Sequence, residues 1–277
     1  MSALIPEFKT LLFEEKEPHI GVVTMNRPGQ LNAINLDMLI DFEKLFQILS
    51  DEDSIRVLII TGAGKGYSSG ADLNDAVIYK ESEAFADPEK FLKLVQERYA
   101  ALILGMRRIP QPIISAVNGP AAGGGFSMTL ASDIRVACKE AYFVASFINI
   151  GLSGGELGCS FLLPRLVGLA HASDILMTGR KLGAEEAEKI GLVNKLAPRE
   201  DLLETALSYG RAMVAKSVGG LKLTKRALNE NINAPSLENA VNFENRNQTI
   251  IGIAPAFRQR QSLCNFFFGH GHQLFIV

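Results

Sequence analysis

The chain has 277 residues, 28 basic and 30 acidic side chains, 47% hydrophobic residues and 21% charged ones. That length suits one large domain, alone or with a small appendage, and the apolar content excludes a disordered chain. A formal net charge of −2 offers no footprint for nucleic acid or an anionic membrane, and three cysteines (Cys138, Cys159, Cys264) without a C-x-x-C pair argue against a disulfide framework and a zinc site.

Glu7, Glu14, Glu15 and Glu17 run against a transit peptide or secretory signal. Leu274-Phe275-Ile276-Val277 is not a peroxisomal tripeptide, so the expected location is the cytoplasm. Ile20–Met25 reads as a strand that ends in the turn cluster Asn26-Arg27-Pro28-Gly29. Asn35 then caps a helix whose apolar positions Met38, Leu39, Phe42, Leu45, Phe46 and Leu49 keep a 3.6-residue period. Val57–Thr61 is a continuous apolar run, as in a strand buried on both faces. Asp87-Pro88 starts a long helix that buries Phe91, Leu94, Val95, Leu102, Ile103 and Met106. The uncharged stretch Ile109–Ser132 is long enough to suggest a membrane span. Its prolines, Asn118 and glycines make it strand, turn and helix instead, with the strand at Pro112–Val117.

This alternation of strand and helix predicts an α/β core over residues 1–200. From about Asp201 only helices are expected, one over Leu203–Val214 and one after Ser236. This 201–277 region either completes the core or serves oligomerisation, with Phe257, Leu263 and Phe266–Phe268 as candidate contacts. His270 and His272 suggest metal binding only weakly, being two histidines near a chain end, and no metal site is expected.

Three glycine-containing segments are candidates for chemistry. Gly62-Ala63-Gly64-Lys65-Gly66 follows a strand but is not a P-loop, because Ile59 and Gly66 stand where the first glycine and the Ser/Thr belong. Lys65 is either a phosphate contact or an ordinary solvated loop tip. Gly151-Leu152-Ser153-Gly154-Gly155 matches G-x-S-x-G, the nucleophile elbow of serine hydrolases, although so short a pattern arises often by chance. Val117–Phe126 joins a buried strand to a helix that begins near Gly124, and helix N-termini leave backbone N–H groups unpaired. Tyr67–Leu73 is a second small-residue loop. If the two met, they would offer two donors to one oxygen; otherwise each is ordinary small-residue packing.

Met25-Asn26-Arg27-Pro28…Leu31-Asn32-Ala33, Ser69-Gly70-Ala71-Asp72-Leu73 and Val117–Gly125 resemble the three ordered motifs of the crotonase family, and Thr178-Gly179-Arg180…Gly191-Leu192-Val193 resembles a later one. The resemblance spans about residues 10 to 200. It implies a spiral of ββα units with a helical C-terminal region, assembled as a homotrimer or dimer of trimers. It also implies an acyl-CoA substrate and no separate cofactor, coenzyme A being part of the substrate. The matching oxyanion-hole amides are those of Ala71 and Gly124. Ser69, Gly70, Asp72, Leu73, Gly123, Ser127 and Phe147 are the expected substrate contacts, with Asp72 also holding its loop.

Hydratases of that family use two glutamates, and the matching positions here hold Ser127 and Phe147, which argues against ordinary syn-hydration. Gly151–Cys159 instead resembles the stretch where peroxisomal-type Δ3,Δ2-enoyl-CoA isomerases carry a glutamate, given one inserted residue, and Glu156 matches it. Its chain neighbours Leu152, Leu157, Phe161 and Leu162 are apolar. A carboxylate beside a helix start is also stabilising without any catalytic role. The favoured expectation is enoyl-CoA isomerisation by Glu156. The alternatives are hydration, a serine hydrolase using Ser153, and an inactive acyl-CoA-binding scaffold.

Overall fold

The computed structural model describes residues 5–75 and 83–253. Phe257, Leu263, Cys264, Phe266–Phe268, His270 and His272 lie outside the described residues. The chain divides into two compact units, one through Ala215 and the other from Lys216.

In the first unit, β1 (Leu11–Glu17) and β2 (Ile20–Met25) form an antiparallel pair. Helix α1 (Leu36–Asp51) follows, with the Asn35 side chain accepting from the Met38 amide at 3.1 Å as the sequence predicts. The Asp75 carboxylate accepts from the Leu36 amide at 2.7 Å, satisfying another free N–H of the first turn. Strand β3 (Val57–Gly62) leads to the short helix α2 (Pro88–Phe91), capped by Asp87 through the Lys90 amide at 2.9 Å. A π-helical turn at Leu92–Gln96 connects it to α3 (Glu97–Arg108). That turn carries an extra residue and shifts the helical phase. Phe91 and Leu94, expected in the core, are therefore only half-buried, while Tyr99 takes a buried position.

Strands β4 (Ile113–Val117) and β5 (Ala121–Ala122) precede α4 (Gly124–Ala131), every residue of which is buried. Then come β6 (Ile134–Cys138), β7 (Tyr142–Val144), α5 (Cys159–Val167), α6 (Leu169–Thr178), β8 (Leu182–Gly183), α7 (Ala184–Lys189), β9 (Lys195–Ala197) and α8 (Leu202–Val214). The main sheet runs β1-β2-β3-β4-β6-β9, parallel except at β1, and the second runs β5-β7-β8. The central strands β3 and β4 read as unbroken apolar runs because they are buried on both faces. At the edge, β1 turns Glu14 and Lys16 to solvent as an exposed ion pair, which hides it from hydrophobic patterning.

Helix α8 packs across β2, β3, β4, β6 and β9. It approaches closely at Gly210, where a Cβ would lie 3.0 Å from Ile20 Cδ1. It therefore belongs to the first unit, and the boundary falls after Ala215 rather than at 200. The second unit contains α9 (Val218–Asn231), capped by Ser217, and α10 (Leu237–Gly252), capped by Ser236. Their packing includes a 3.1 Å bond from Asn231 to Glu244, and the Arg226 guanidinium lies 6.0 Å from the Phe243 ring centroid. The sequence reading misses α9, whose first turn contains Gly219-Gly220. No helix among the described residues is long and apolar enough to cross a membrane.

Candidate active site

The two small-residue loops meet. Tyr67 and Ser68 both donate backbone N–H bonds to the Pro120 carbonyl, at 3.0 and 3.1 Å, and Ala122 donates back to the Ser68 carbonyl at 2.9 Å. Gly125 has no room for a side chain, since a Cβ would sit 2.4 Å from the Ser68 carbonyl oxygen. Gly70 adopts φ +91°, and a Cβ there would lie 2.7 Å from the Ala122 oxygen and 3.0 Å from the Gly124 nitrogen. Glycine is required at 70 both for its left-handed backbone and for this close approach.

The first sequence motif closes the other side of the 67–73 loop. Asn32 donates its amide to the Ala63 and Gly66 carbonyls, both at 2.9 Å, and Ser69 N–H reaches the Leu31 carbonyl at 2.9 Å. Ser68 Oγ donates to the Asn32 carbonyl at 2.8 Å and accepts from the Gly70 amide at 3.2 Å. Ile34 bridges Ala71 in parallel fashion: its N–H bonds the Gly70 carbonyl at 2.7 Å, and its carbonyl takes the Asp72 N–H at 2.9 Å. A bridge whose bonds flank Ala71 leaves the Ala71 amide facing away from Ile34. Gly124 is the first residue of α4 and has no intrahelical acceptor, whereas the Gly123 amide is used by the Val144 carbonyl at 3.0 Å.

The remaining expected residues divide into two groups. Phe147 Cε1 lies 3.6 Å from where a Gly123 Cβ would be, so this ring flanks the glycine loop. Ser127 is buried on α4, and its hydroxyl lies 3.2 Å from Cys159 Sγ. Burial pushes the Cys159 thiol up to about 12, its hydrogen bond with Ser127 opposes that, and the nearby Glu156 charge adds to it. Glu156 is half-buried in the turn before α5, and its carbonyl accepts from the Cys159 amide at 2.9 Å. The next residue, Leu157, has a left-handed backbone (φ +46°) and places Cδ1 3.7 Å from the position of a Gly124 Cβ. Of the apolar chain neighbours of Glu156, Leu152 and Phe161 are exposed.

Asp72 points to Arg27 in a largely buried ion pair at 2.8 Å, and the same guanidinium donates to the Ala33 carbonyl, which fits the loop-holding role. Leu73 is 58% exposed, and the Ser69 hydroxyl donates to the Gln30 carbonyl at 3.3 Å. Lys65 is exposed at a loop tip. Ser153 does not form a nucleophile elbow, which needs a strand running into a helix. A single 3-10 turn at Ile148–Ile150 precedes it, and its hydroxyl accepts from the Gly155 amide at 3.1 Å. Sequence reasoning missed Ile34, which meets this region through backbone bonds and an apolar contact, and Tyr99, which meets it through its hydroxyl; Leu157 stands out in the sequence only as an apolar neighbour of Glu156. Among the described residues no group of three or more His, Cys, Asp or Glu side chains is gathered as metal ligands.

The sequence profile of the enoyl-CoA hydratase/isomerase family matches residues 15–264. The chain is 42% identical over 246 residues to a probable enoyl-CoA hydratase of Mycobacterium bovis, covering 89% of this chain and 86% of that one. Among solved structures it is similar to a probable enoyl-CoA hydratase/isomerase from Mycobacterium abscessus, with a TM-score of 0.85 at 36% identity, covering 94% and 97% of the two chains. A monofunctional enoyl-CoA isomerase from M. smegmatis aligns with a TM-score of 0.71 at 39% identity, covering 84% of this chain and 98% of that one.

Proposed function

The chain belongs to the enoyl-CoA hydratase/isomerase family of the crotonase superfamily, and on that premise we propose that it moves the double bond of an enoyl-CoA thioester. The Glu156 carboxylate takes a proton from C2 of a 3-enoyl-CoA, and the electron pair moves onto the thioester oxygen. The Ala71 and Gly124 amides hold the resulting enolate. Loss of one such donor costs about 3–4 kcal/mol of transition-state stabilisation. Glu156 then returns the proton to C4, leaving a 2-enoyl-CoA. The coenzyme A moiety is part of the substrate and no further cofactor is required. Assembly as a homotrimer or dimer of trimers belongs to the same proposal.

The observation that supports this reading is the packing of Leu157 on Gly124. It brings the turn bearing Glu156 to the glycine loop, while Ser127 and Phe147 stand where the resemblance expects a hydratase's glutamates. Hydration is the second reading, favoured by the name of the M. bovis relative, with Glu156 alone activating water. Assaying 3-enoyl-CoA isomerisation and 2-enoyl-CoA hydration side by side separates the two. Glu156→Gln keeps the size of the side chain but cannot shuttle a proton, so turnover falls by about 10²–10⁴-fold while saturated acyl-CoA binds as before. Ser153→Ala retains activity. Full isomerisation by the glutamine variant removes the mechanism.

A further inference from the structure

Helix α3 reaches the oxyanion loop through one hydroxyl. The Tyr99 side chain, 4% exposed, donates to the Ile34 carbonyl at 2.8 Å. That same carbonyl accepts the Asp72 N–H at 2.9 Å, and the Ile34 N–H bonds the Gly70 carbonyl at 2.7 Å. Ile34 therefore grips the chain on both sides of Ala71, and Tyr99 grips Ile34. A carbonyl oxygen has two lone pairs, and here both are engaged, by the buried Tyr99 hydroxyl and the Asp72 N–H, which fixes the peptide plane. The Ile34 side chain also lies beside the glycine loop, with Cδ1 3.3 Å from the position of a Gly124 Cβ. The widened turn at Leu92–Gln96 sets the phase that turns Tyr99 inward.

We propose that Tyr99 is a positioning residue, whose hydroxyl, acting through the Ile34 carbonyl, holds the Ala71 amide in line with the thioester oxygen. This rests on the oxyanion-hole reading of Ala71 and Gly124. An oxyanion donor acts only when aimed at the developing charge, so slackening its support weakens transition-state binding more than ground-state binding. Tyr99→Phe removes one hydroxyl and keeps the ring in place. A buried hydrogen bond of this kind translates to about a 10-fold fall in kcat, with KM and saturated acyl-CoA affinity within about two-fold of wild type.

The test reads the carbonyl stretch of a bound saturated acyl-CoA by difference infrared spectroscopy, together with kcat and KM. In the wild-type enzyme the stretch lies below that of free acyl-CoA, because the two amides polarise the bond. In Tyr99→Phe it moves part of the way back, and kcat falls. Thr10→Val is the comparison, since it deletes a buried side-chain bond of the same 2.8 Å length, to Asp41, that involves no residue of either loop. It leaves the stretch and kcat unchanged. A fall in kcat with an unmoved stretch, or no change in either, overturns the role of Tyr99. Absence of any shift in the wild-type enzyme instead overturns the oxyanion-hole reading and Tyr99's role with it. Should Tyr99→Phe accumulate unfolded, 4-aminophenylalanine at position 99 keeps the ring and presents a weaker N–H donor in place of the hydroxyl: a stretch moved part of the way back with a fall in kcat supports the assignment, and an unmoved stretch overturns it.

Discussion

From Gly66 to Asp72 the chain is held by distant partners: Pro120 and Ala122 on one side, Leu31, Asn32 and Ile34 on the other. From Phe147 to Ser160 the backbone bonds are local, and the longer ties are side-chain ones, Asn149 to the Gly179 carbonyl at 2.9 Å and Cys159 to Ser127 at 3.2 Å. Gly151 N–H goes to Ile148, Leu152 N–H to Phe147, Gly155 N–H to Ser153 and Cys159 N–H to Glu156. The amides proposed as donors, at Ala71 and Gly124, thus lie in backbone held by tertiary structure, and the proposed acid, Glu156, lies in backbone held mainly by a succession of turns. Local turns open at lower free energy than a network that ties several strands together. The difference teaches how one scaffold can keep its donors and change its proton-transfer group. Ser127 on α4 and Phe147 beside the glycine loop stand next to an intact loop pair, whose backbone bonds involve neither side chain.

The sharpest break of this comparison is on the donor side. Proline is tolerated at the first position of a helix, so Gly124→Pro removes a donor with little loss of helix. Turnover should fall by about 10²–10³-fold, with circular dichroism near wild type. Gly124→Ala keeps the donor, and its Cβ meets Ile34 Cδ1 at 3.3 Å. Its loss should stay below about 10-fold. Equal damage in the two variants would mean that crowding, not the missing N–H, is responsible.

On the acid side, a left-handed non-glycine residue such as Leu157 costs about 1–2 kcal/mol. Leu157→Gly relieves that strain while deleting the contact with Gly124. Urea unfolding should therefore change by no more than about 1 kcal/mol, whereas kcat should fall by about 10-fold through a less well-aimed Glu156. A large loss of stability with unchanged kcat would show Leu157 to be ordinary packing.

The smallest effect lies beneath the turn, at Cys159. Its thiol ionises ordinarily near 9.0 and in the folded protein near 12, so the unfolded chain loses its proton first as pH rises. The associated stability is fully present below pH 9 and is lost as pH climbs towards 12. The slope is at most about 1.4 kcal/mol per pH unit. Urea midpoints measured between pH 8 and 10.5 should fall more steeply for wild type than for Cys159→Ala. Tyr67, whose hydroxyl burial also pushes up, contributes equally to both.

Much of this was legible in the residues. Apolar runs marked β2, β3 and β4, and Asn35, Asp87 and Ser236 marked helix starts through side chains that cap them. The loops were visible as glycine clusters because close approach leaves no alternative at Gly70 and Gly125. What stayed hidden has no compositional signature. Edge strand β1 carries exposed charges, and α9 opens on two glycines. Tyr99 is one more apolar position at helical spacing until its hydroxyl is seen on a carbonyl 65 residues away. The chemistry of Glu156 was read from resemblance, while the turn that presents it depends on the conformation of Leu157, which leucine does not announce.

Asn118 brings a different consequence. Its side-chain amide donates to the carbonyls of Gly62, Gly64 and Gly66 and accepts from the Gly62 amide at 3.2 Å, across 56 residues of chain. During synthesis the 62–73 loop is complete long before Asn118 emerges, so the Gly62 and Gly64 carbonyls lack this donor until β4 has docked on β3, although Asn32 and Ile34 already offer partners to Ala63, Gly66 and Gly70. The loop pair is consequently a late product of folding, and a truncated chain that ends before residue 118 carries the sequence of the first loop without its shape.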